Sequence, residues 1–359
     1  MGNKMENVKN LLVDLRIGAE KPYELDEEAI LAAYQGNKDE RSLAIKIVSV
    51  LGGLMASSAF FGFLSMTGLF DTTMGLLVFG SICMTGAIWT NRTAPHKIVL
   101  DTVAITVLIV GFTMFGFGLY QLISDGNIVL LILIPIAFFT LIVTRGYMIG
   151  FCSVLAINIC IVTLIISNNA NNLIHLYTIL LVLALAYMLL KEAKIITTGK
   201  IIPHLYGPIR AGLVYSFLFA LVLVGSAHIL PLSSNYIWTS SVFIISTILY
   251  IIHLLIGLFH ITGTGKKVAI YTLCLLILLP TSLSPAISGG LFLILLSFMV
   301  GYRSGFILGI IAFIYFLGQY YYDLDFTLLT KSVLLFLSGI FFIALYLFIL
   351  KKRPANEKI

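Results

Sequence analysis

Charged side chains are scarce in this sequence of 359 residues. Only 11% of the residues are Asp, Glu, Lys or Arg, whereas about 25% is usual in a soluble domain. Hydrophobic residues make up 60% of the chain and the mean hydropathy is +1.06. This is more apolar surface than one globular core can bury. The composition excludes a soluble enzyme and predicts an all-α, polytopic membrane protein whose helices contact the lipid bilayer.

Cysteines and catalytic motifs are also few. The four cysteines lie inside apolar runs without C-x-x-C spacing, which predicts buried side chains and neither a disulfide framework nor a metal site. The sequence contains no HExxH, Walker A or GxGxxG pattern, and it has no large external loop that could hold an active site. We therefore expect no enzymatic activity, no cofactor and no bound metal.

Twelve apolar runs, each near the length of a membrane-spanning helix, follow the polar segment 1–44. They are Ile45–Gly68, Met74–Thr90, Ile98–Leu122, Ile128–Val143, Tyr147–Ser167, Leu173–Leu190, Gly212–Leu230, Ile237–His260, Val268–Ser284, Ala286–Val300, Gly305–Tyr322 and Thr330–Leu350. The pattern predicts two halves, 45–190 and 212–350, joined by a cytoplasmic loop at 191–211. Segment 1–44 is predicted to form two short amphipathic helices in the cytosol, and 351–359 a basic cytosolic tail.

The basic residues are distributed in a way that predicts orientation. With the N-terminus inside, all but Lys331 of the 22 Lys and Arg residues fall on the cytoplasmic side, as short loops of membrane proteins require. The net charge of +6 is spread over many loops, which argues against a nucleic-acid partner. We expect both termini in the cytoplasm.

The ninth and tenth predicted spans are short. Residues 268–300 must cross twice with about 16 residues each, or about 24 Å against a hydrocarbon core of about 30 Å. One interpretation is two short helices in a locally thinned bilayer. The other is a shallow, broken hairpin at Pro280, Pro285 and the glycine pair 289–290, whose irregular backbone is shielded by protein or lines a wet cavity.

Ionisable side chains inside the predicted spans are rare, and each has an ordinary structural interpretation. Asp101 lies near the start of a helix, where an acid stabilises the helix dipole. His253 and His260 share a face without an accompanying carboxylate, which favours packed or interfacial histidines over a ligand pair. His175 and His228 fall near the predicted outer surface and give a still weaker indication of a site.

The outer ends of the last two predicted spans carry the richest group of polar side chains. A polar aromatic stripe on the eleventh span is followed by an acidic turn and a polar face on the twelfth. The candidate outer-face cluster comprises Tyr315, Gln319, Tyr320, Tyr322, Asp323, Asp325, Thr327, Lys331 and Ser338. A lysine in the first turns of a helix opposes the helix dipole and needs an anionic companion. Lys331 either extends to the lipid headgroups beside a capping Asp325, or lines a pocket for an anionic substrate or a partner's tail.

The tract from Tyr320 to Ser332, YYYDLDFTLLTKS, followed by a helix containing Gly339, resembles the C-terminal signature of a bacterial membrane-protein family catalogued as domain of unknown function 4401. The DEEAILAAYQGN stretch before the first span extends the resemblance over most of the chain. The resemblance implies a polytopic inner-membrane protein and, as a partner, a small membrane protein bearing a GDYxxLxY motif. It implies no reaction, cofactor or substrate.

Two classes of function remain open on the sequence. Twelve spans divided six and six are similar in plan to two-half secondary transporters, which favours a carrier for a small or amphipathic solute. The second class is a non-catalytic scaffold that assembles with a small membrane protein at the outer-face cluster. An intramembrane enzyme has the weakest support.

Overall fold

The structure, a computed structural model, describes residues 71–93, 98–144, 146–198, 202–225, 236–260 and 263–323, with single residues and short pieces between 52 and 68 and between 329 and 347. The predicted segment 1–44 and the basic tail lie outside the described residues. About half of the first and of the twelfth predicted span lies outside them as well.

All regular structure in these described ranges is helical. In chain order the elements are α1 (Thr73–Thr93), α2 (Ile98–Ile123), α3 (Gly126–Val143), α4 (Tyr147–Ser167), α5 (Leu173–Leu190), α6 (Glu192–Thr197), α7 (Ile202–Gly225), α8 (Ile237–Leu258), α9 (Thr264–Leu278), a 3-10 turn (Pro280–Leu283), α10 (Pro285–Val300) and α11 (Arg303–Asp323).

Nine helices of the described part are long and apolar enough to cross a membrane, with α9 counted together with the 3-10 turn. The shorter α10 is also apolar. Helices α4 and α5 have the bounds expected from the sequence, and α1, α2 and α3 agree within a few residues. The all-α membrane architecture is therefore confirmed, whereas the count of twelve and the position of the termini stay predictions.

Local sequence explains where several helices begin and end. Asp125 caps α3, because its carboxylate accepts a hydrogen bond of 2.8 Å from the backbone N–H of Asn127. Pro285 stands in the first turn of α10, where its missing N–H costs nothing. Gly301 ends α10 with a φ of +74°, a left-handed conformation that glycine adopts without strain.

The connection predicted at 191–211 requires correction, because most of it is helical. Helix α6 occupies Glu192–Thr197, and α7 begins at Ile202 where the sequence predicted a start at Gly212. Polar residues break the apolar run before Gly212, but Arg210 is paired within the fold and so does not end the helix.

Residues 268–300 form two short helices joined by one 3-10 turn. Helix α10 is continuous through both glycines of the pair 289–290. These glycines lie where neighbours are close, since a Cβ at Gly290 would stand 3.1 Å from the Cα of Phe313 on α11. Of the two interpretations, the structure agrees with a pair of short helices.

Four helices form the largest core. We call α5, α7, α8 and α10 the core bundle; α5 packs against α7 and α8, and α10 packs against all three. Phe217 on α7 and Phe292 on α10 are fully buried there, with ring centroids 5.6 Å apart in an edge-to-face arrangement. Because α5 comes from the predicted first half, the core bundle crosses the predicted division into halves.

Short connections make successive helices antiparallel, so the described helices share two ends. The end near Arg92, Arg210 and Arg303 is called the basic end, and the end near Asp125 and Asp323 the acidic end. Contacts between helices support this assignment: the guanidinium of Arg92 donates to the carbonyl of Val143 at the basic end. The position of each polar side chain along the bundle is given relative to these two ends.

Candidate functional site

A buried histidine lies near the acidic end of the core bundle. The side chain of His175, in the first turn of α5, is 2% exposed. Its Nδ1 atom lies 3.0 Å from Oγ of Ser240 on α8. Its Nε2 atom is buried and has no hydrogen-bond partner among the described residues. A buried polar atom left in this way costs about 1–3 kcal/mol unless water or a ligand pairs with it.

A second buried pair lies deeper in the protein and joins α5 to α4. The hydroxyl of Tyr177 donates to Oδ1 of Asn158 at 2.9 Å. The Asn158 amide donates in turn to the backbone carbonyl of Val154 at 2.8 Å. Both side chains are buried. Their polar groups are hydrogen-bonded to each other within an otherwise apolar contact between α4 and α5.

Each helix of the core bundle contributes a buried polar atom without a partner in the described structure. Besides Nε2 of His175 on α5, these are the hydroxyl oxygens of Ser216 on α7, Ser241 on α8 and Ser297 on α10. Of the four, Ser216 has the hydroxyl of Tyr177 as a neighbour, although no hydrogen bond of good geometry joins the two. We call these four side chains the unpaired core groups. At 1.5 Å per residue, Ser241 lies near the acidic end, Ser216 near the middle and Ser297 near the basic end. Unsatisfied polar atoms therefore occur through the full depth of the bundle.

An arginine cluster lies at the basic end of the core bundle. Nη1 of Arg210 is 3.4 Å from Oε1 of Glu192 on α6. The guanidinium carbon lies 4.2 Å from the ring centroid of Tyr302 and 5.2 Å from that of Tyr206. Both distances are within the range of a cation–π contact. The arginine cluster therefore links α6, α7 and the residue that precedes α11.

A smaller polar cluster stands at the basic end of the first helices. Nδ2 of Asn91 on α1 donates to Oδ1 of Asp101 on α2 at 3.2 Å, and the hydroxyl of Thr144 donates to Oδ1 of Asn91 at 3.2 Å. A Cβ at Gly146 would collide with the Asn91 amide, so glycine is required there for the close approach. Asp101 thus stays in the first turn of α2, as predicted, and also serves as a hydrogen-bond acceptor between helices.

The structure separates the members of the predicted outer-face cluster. Tyr315 and Tyr322 are exposed, at 54% and 79%, and Asp323 is exposed as well. Gln319 instead turns towards the core bundle, where Nε2 donates to the carbonyl of Gly225 at 3.3 Å, and Tyr320 packs partly against the core. The remaining members, Asp325, Thr327, Lys331 and Ser338, lie outside the described residues.

The first half contains an open groove between α2, α3 and α4. Its volume is about 380 Å³, and its walls are almost entirely apolar, from Leu108, Phe112 and Leu133 to Cys152 and Ile159. Such a groove has the size of a small-ligand site but few polar groups to orient a ligand. It offers an apolar surface of the kind that lipid chains cover.

The four cysteines are free thiols: Cys83 and Cys160 are buried, and Cys152 and Cys274 are partly buried. The described residues contain no group of three or more His, Cys, Asp or Glu side chains placed to hold a metal ion. The polar chemistry of the described chain therefore rests on hydroxyls, amides, one buried imidazole and the arginine cluster.

Sequence reasoning missed most of this arrangement. Ser216, Ser241 and Ser297 are single hydroxyls within apolar runs, and no spacing marks them. The sequence places His175 near the predicted outer surface but does not predict its burial, because its partner Ser240 follows 65 positions later. The one feature of the sequence that points to His175 is the rarity of histidine within the predicted spans.

In the described ranges, nine apolar helices that leave many large hydrophobic side chains exposed define a polytopic α-helical membrane protein. Within that class, the chain belongs to the family described as "Domain of unknown function (DUF4401)", whose model matches residues 42–352. No curated protein and no solved structure matches the chain significantly. The suspected family membership is confirmed.

Proposed function

We propose that this protein is a membrane carrier that moves a small solute through the core bundle. The observation that carries the proposal is the set of unpaired core groups, one from each helix of the bundle. Helix packing alone would be served at least as well by alanine at the three serine positions, since a buried unpaired hydroxyl destabilises the fold. Ionisable side chains inside a membrane protein, such as His175, face the bundle interior or a water-filled cavity and mark substrate or ion pathways. Water and solute passing through the bundle would supply the missing hydrogen bonds.

The arginine cluster supports a controlled path at the basic end. Arg210 joins α6 to α7 through Glu192 and contacts Tyr302 beside α11. Separating this ion pair would let α6 move relative to α7 and open the bundle at that end. In the carrier, the pair would close the path while the acidic end is open, as alternating access requires.

The transport proposal is tested by isosmotic swelling of proteoliposomes with glycerol, urea, lactate and succinate as probes. At least one probe should enter faster than it enters protein-free vesicles. In a variant whose native cysteines are replaced by alanine, Ser216→Cys followed by a methanethiosulfonate reagent should block that entry. Ser246→Cys is the matched control, because Ser246 is exposed on α8. Swelling equal to that of protein-free vesicles for all probes, or full flux after modification at 216, would overturn the proposal.

The proposed orientation places the basic end in the cytoplasm of a bacterial cell and the acidic end outside its inner membrane. In the same cysteine-free background, Ser282→Cys in the 3-10 turn should react with an impermeant reagent from outside. Gly265→Cys, at the start of α9, should react only after the membrane is permeabilised. Reversed labelling would invert the assignment.

A scaffold is the second candidate, favoured by the exposure of α9 and α11. Only 6% of the α9 span and 17% of the α11 span are buried in the described structure. A photo-crosslinker at Tyr322 should then capture a co-expressed small membrane protein with a GDYxxLxY motif. The same crosslinker at Tyr187, 61% exposed at the basic end of α5, should not. Equal capture at both positions would count against a specific partner.

A further inference from the structure

His175 differs in its burial from the other acidic and basic side chains of the described ranges. Among the Asp, Glu, Lys, Arg and His side chains that the structure describes there, it is the one that is buried. The guanidinium of Arg210 is a quarter exposed, and Asp101 is partly exposed. A proton-binding side chain held inside a membrane bundle at the cost of an unpaired atom calls for a functional reason.

The geometry leaves one imidazole nitrogen available. When Nδ1–H donates to Oγ of Ser240, at 3.0 Å, Nε2 carries the free lone pair. Nε2 is the atom without a partner in the described structure. In this tautomer a proton binds His175 at Nε2, and the resulting N–H points to no acceptor supplied by the described residues.

The helices packed on α5 carry their titratable side chains away from His175. Helix α10, packed beside α5, contains no titratable side chain. The titratable side chains of the other helices packed on α5 lie further towards the basic end than His175: Tyr147, Cys152 and Cys160 on α4, Glu192 and Lys194 on α6, His204, Tyr206, Arg210 and Tyr215 on α7, and Tyr250 and His253 on α8. On α5 itself, Tyr177 is committed to Asn158 and Tyr187 is exposed near the basic end.

An imidazolium at this position has no counter-charge from the described helices, and a buried charge without one is strongly disfavoured. A solute carboxylate next to Nε2–H would supply both the charge and the hydrogen-bond acceptor. The same carboxylate would be disfavoured beside a neutral imidazole. Proton and anion therefore each stabilise binding of the other, which is the condition for coupled movement.

We infer that His175 is the proton-binding residue of a proton–solute symporter whose solute is a small organic anion bearing a carboxylate. The inference rests on the proposed carrier function. One proton binds at Nε2 as the carboxylate binds, and both are released on the other side, so a monocarboxylate such as lactate moves with its proton without net charge, whereas a dicarboxylate such as succinate moves with one negative charge. Ser240 is a positioning residue that orients the imidazole through Nδ1.

The test uses the full chain in proteoliposomes that contain a pH-sensitive dye, with no initial pH gradient. Lactate or succinate, but not glycerol, should acidify the interior above the rate in protein-free vesicles. His175→Asn should reduce this protein-dependent acidification at least tenfold. Asn places an amide near the position of Nδ1, so the contact with Ser240 remains while the titrating group is lost. His253→Gln is the matched control, because His253 is exposed and bonded to the Tyr271 hydroxyl at 2.8 Å, and it should acidify like the wild type.

Folding of the variants is followed by size-exclusion chromatography and thermal unfolding, and His175→Gln provides a second non-titrating side chain. Radiolabelled lactate or succinate measured in the same vesicles separates the two hypotheses. Solute entry without acidification would leave the carrier standing and overturn the role of His175. Wild-type acidification that persists in folded His175→Asn and His175→Gln would also overturn it. No entry of any probe would remove both the carrier and its coupling residue.

Discussion

Helices α5 and α9 show how differently two apolar helices of one chain are used. The α5 span is 61% buried, whereas the α9 span is 6% buried. Helix α5 carries His175 and Tyr177 into the core, and each bonds a side chain of another helix. Helix α9 keeps leucines such as Leu276 exposed, at 55%. The exposed α9 is the less apolar of the two, so hydropathy does not identify the lipid-facing helix, because lipid and protein interior accept the same apolar side chains. The placement of polar groups does separate them.

The largest expected contrast comes from truncating leucines on the two kinds of helix. Leu221 on α7 is fully buried, and its side chain lies against Gly289 of α10. Leu221→Ala should lower the free energy of unfolding by about 2–5 kcal/mol, because the neighbours cannot fill the cavity. Leu276→Ala on α9 should change it by less than about 0.5 kcal/mol, since lipid or detergent fills the space. Denaturant unfolding in mixed micelles measures both, and equal losses would contradict the division into core and lipid-facing helices.

The next contrast tests glycines on a single helix. A Cβ at Gly309 on α11 would stand 2.9 Å from the backbone nitrogen of Ile294 on α10, whereas a Cβ at Gly318 would meet nothing within 4 Å. Gly309→Ala should therefore destabilise the protein by about 1–3 kcal/mol, because backbone atoms cannot move aside as a side-chain end can. Gly318→Ala should be neutral or stabilising by up to about 1 kcal/mol, through helix propensity. Similar melting temperatures for both variants would show that α11 is not held against α10 at Gly309.

These contrasts also show what the sequence can predict. The bounds of α4 and α5 follow from apolar runs between polar breaks, because a spanning helix must keep charges and turn residues at its ends. The beginning of α7 does not follow, because Arg210 breaks the run but is compensated by Glu192 and two tyrosine rings that only the fold brings together.

The candidate site was harder to predict than the helices. The predicted outer-face cluster was a local feature of one tract, in which helical spacing places residues together. The unpaired core groups are single residues on four helices, and their presence in one bundle depends on which helices pack around α5. Helix packing in a membrane is set by close fit of side chains rather than by a strong sequence signal, so the core bundle becomes visible only in the structure.

The smallest expected contrast compares two tyrosines on α5. Tyr177 is buried and donates to Asn158 at 2.9 Å, whereas Tyr187 is 61% exposed. Tyr177→Phe removes the donor and leaves the Asn158 oxygen buried without it, so unfolding should become easier by about 0.6–1.5 kcal/mol. Tyr187→Phe should stay within about 0.5 kcal/mol of the wild type. Thermal unfolding of both variants in the same detergent measures the difference. Both variants replace a tyrosine by phenylalanine on the same helix. Equal losses of stability would therefore mean that burial on α5 does not decide how much a tyrosine hydroxyl contributes.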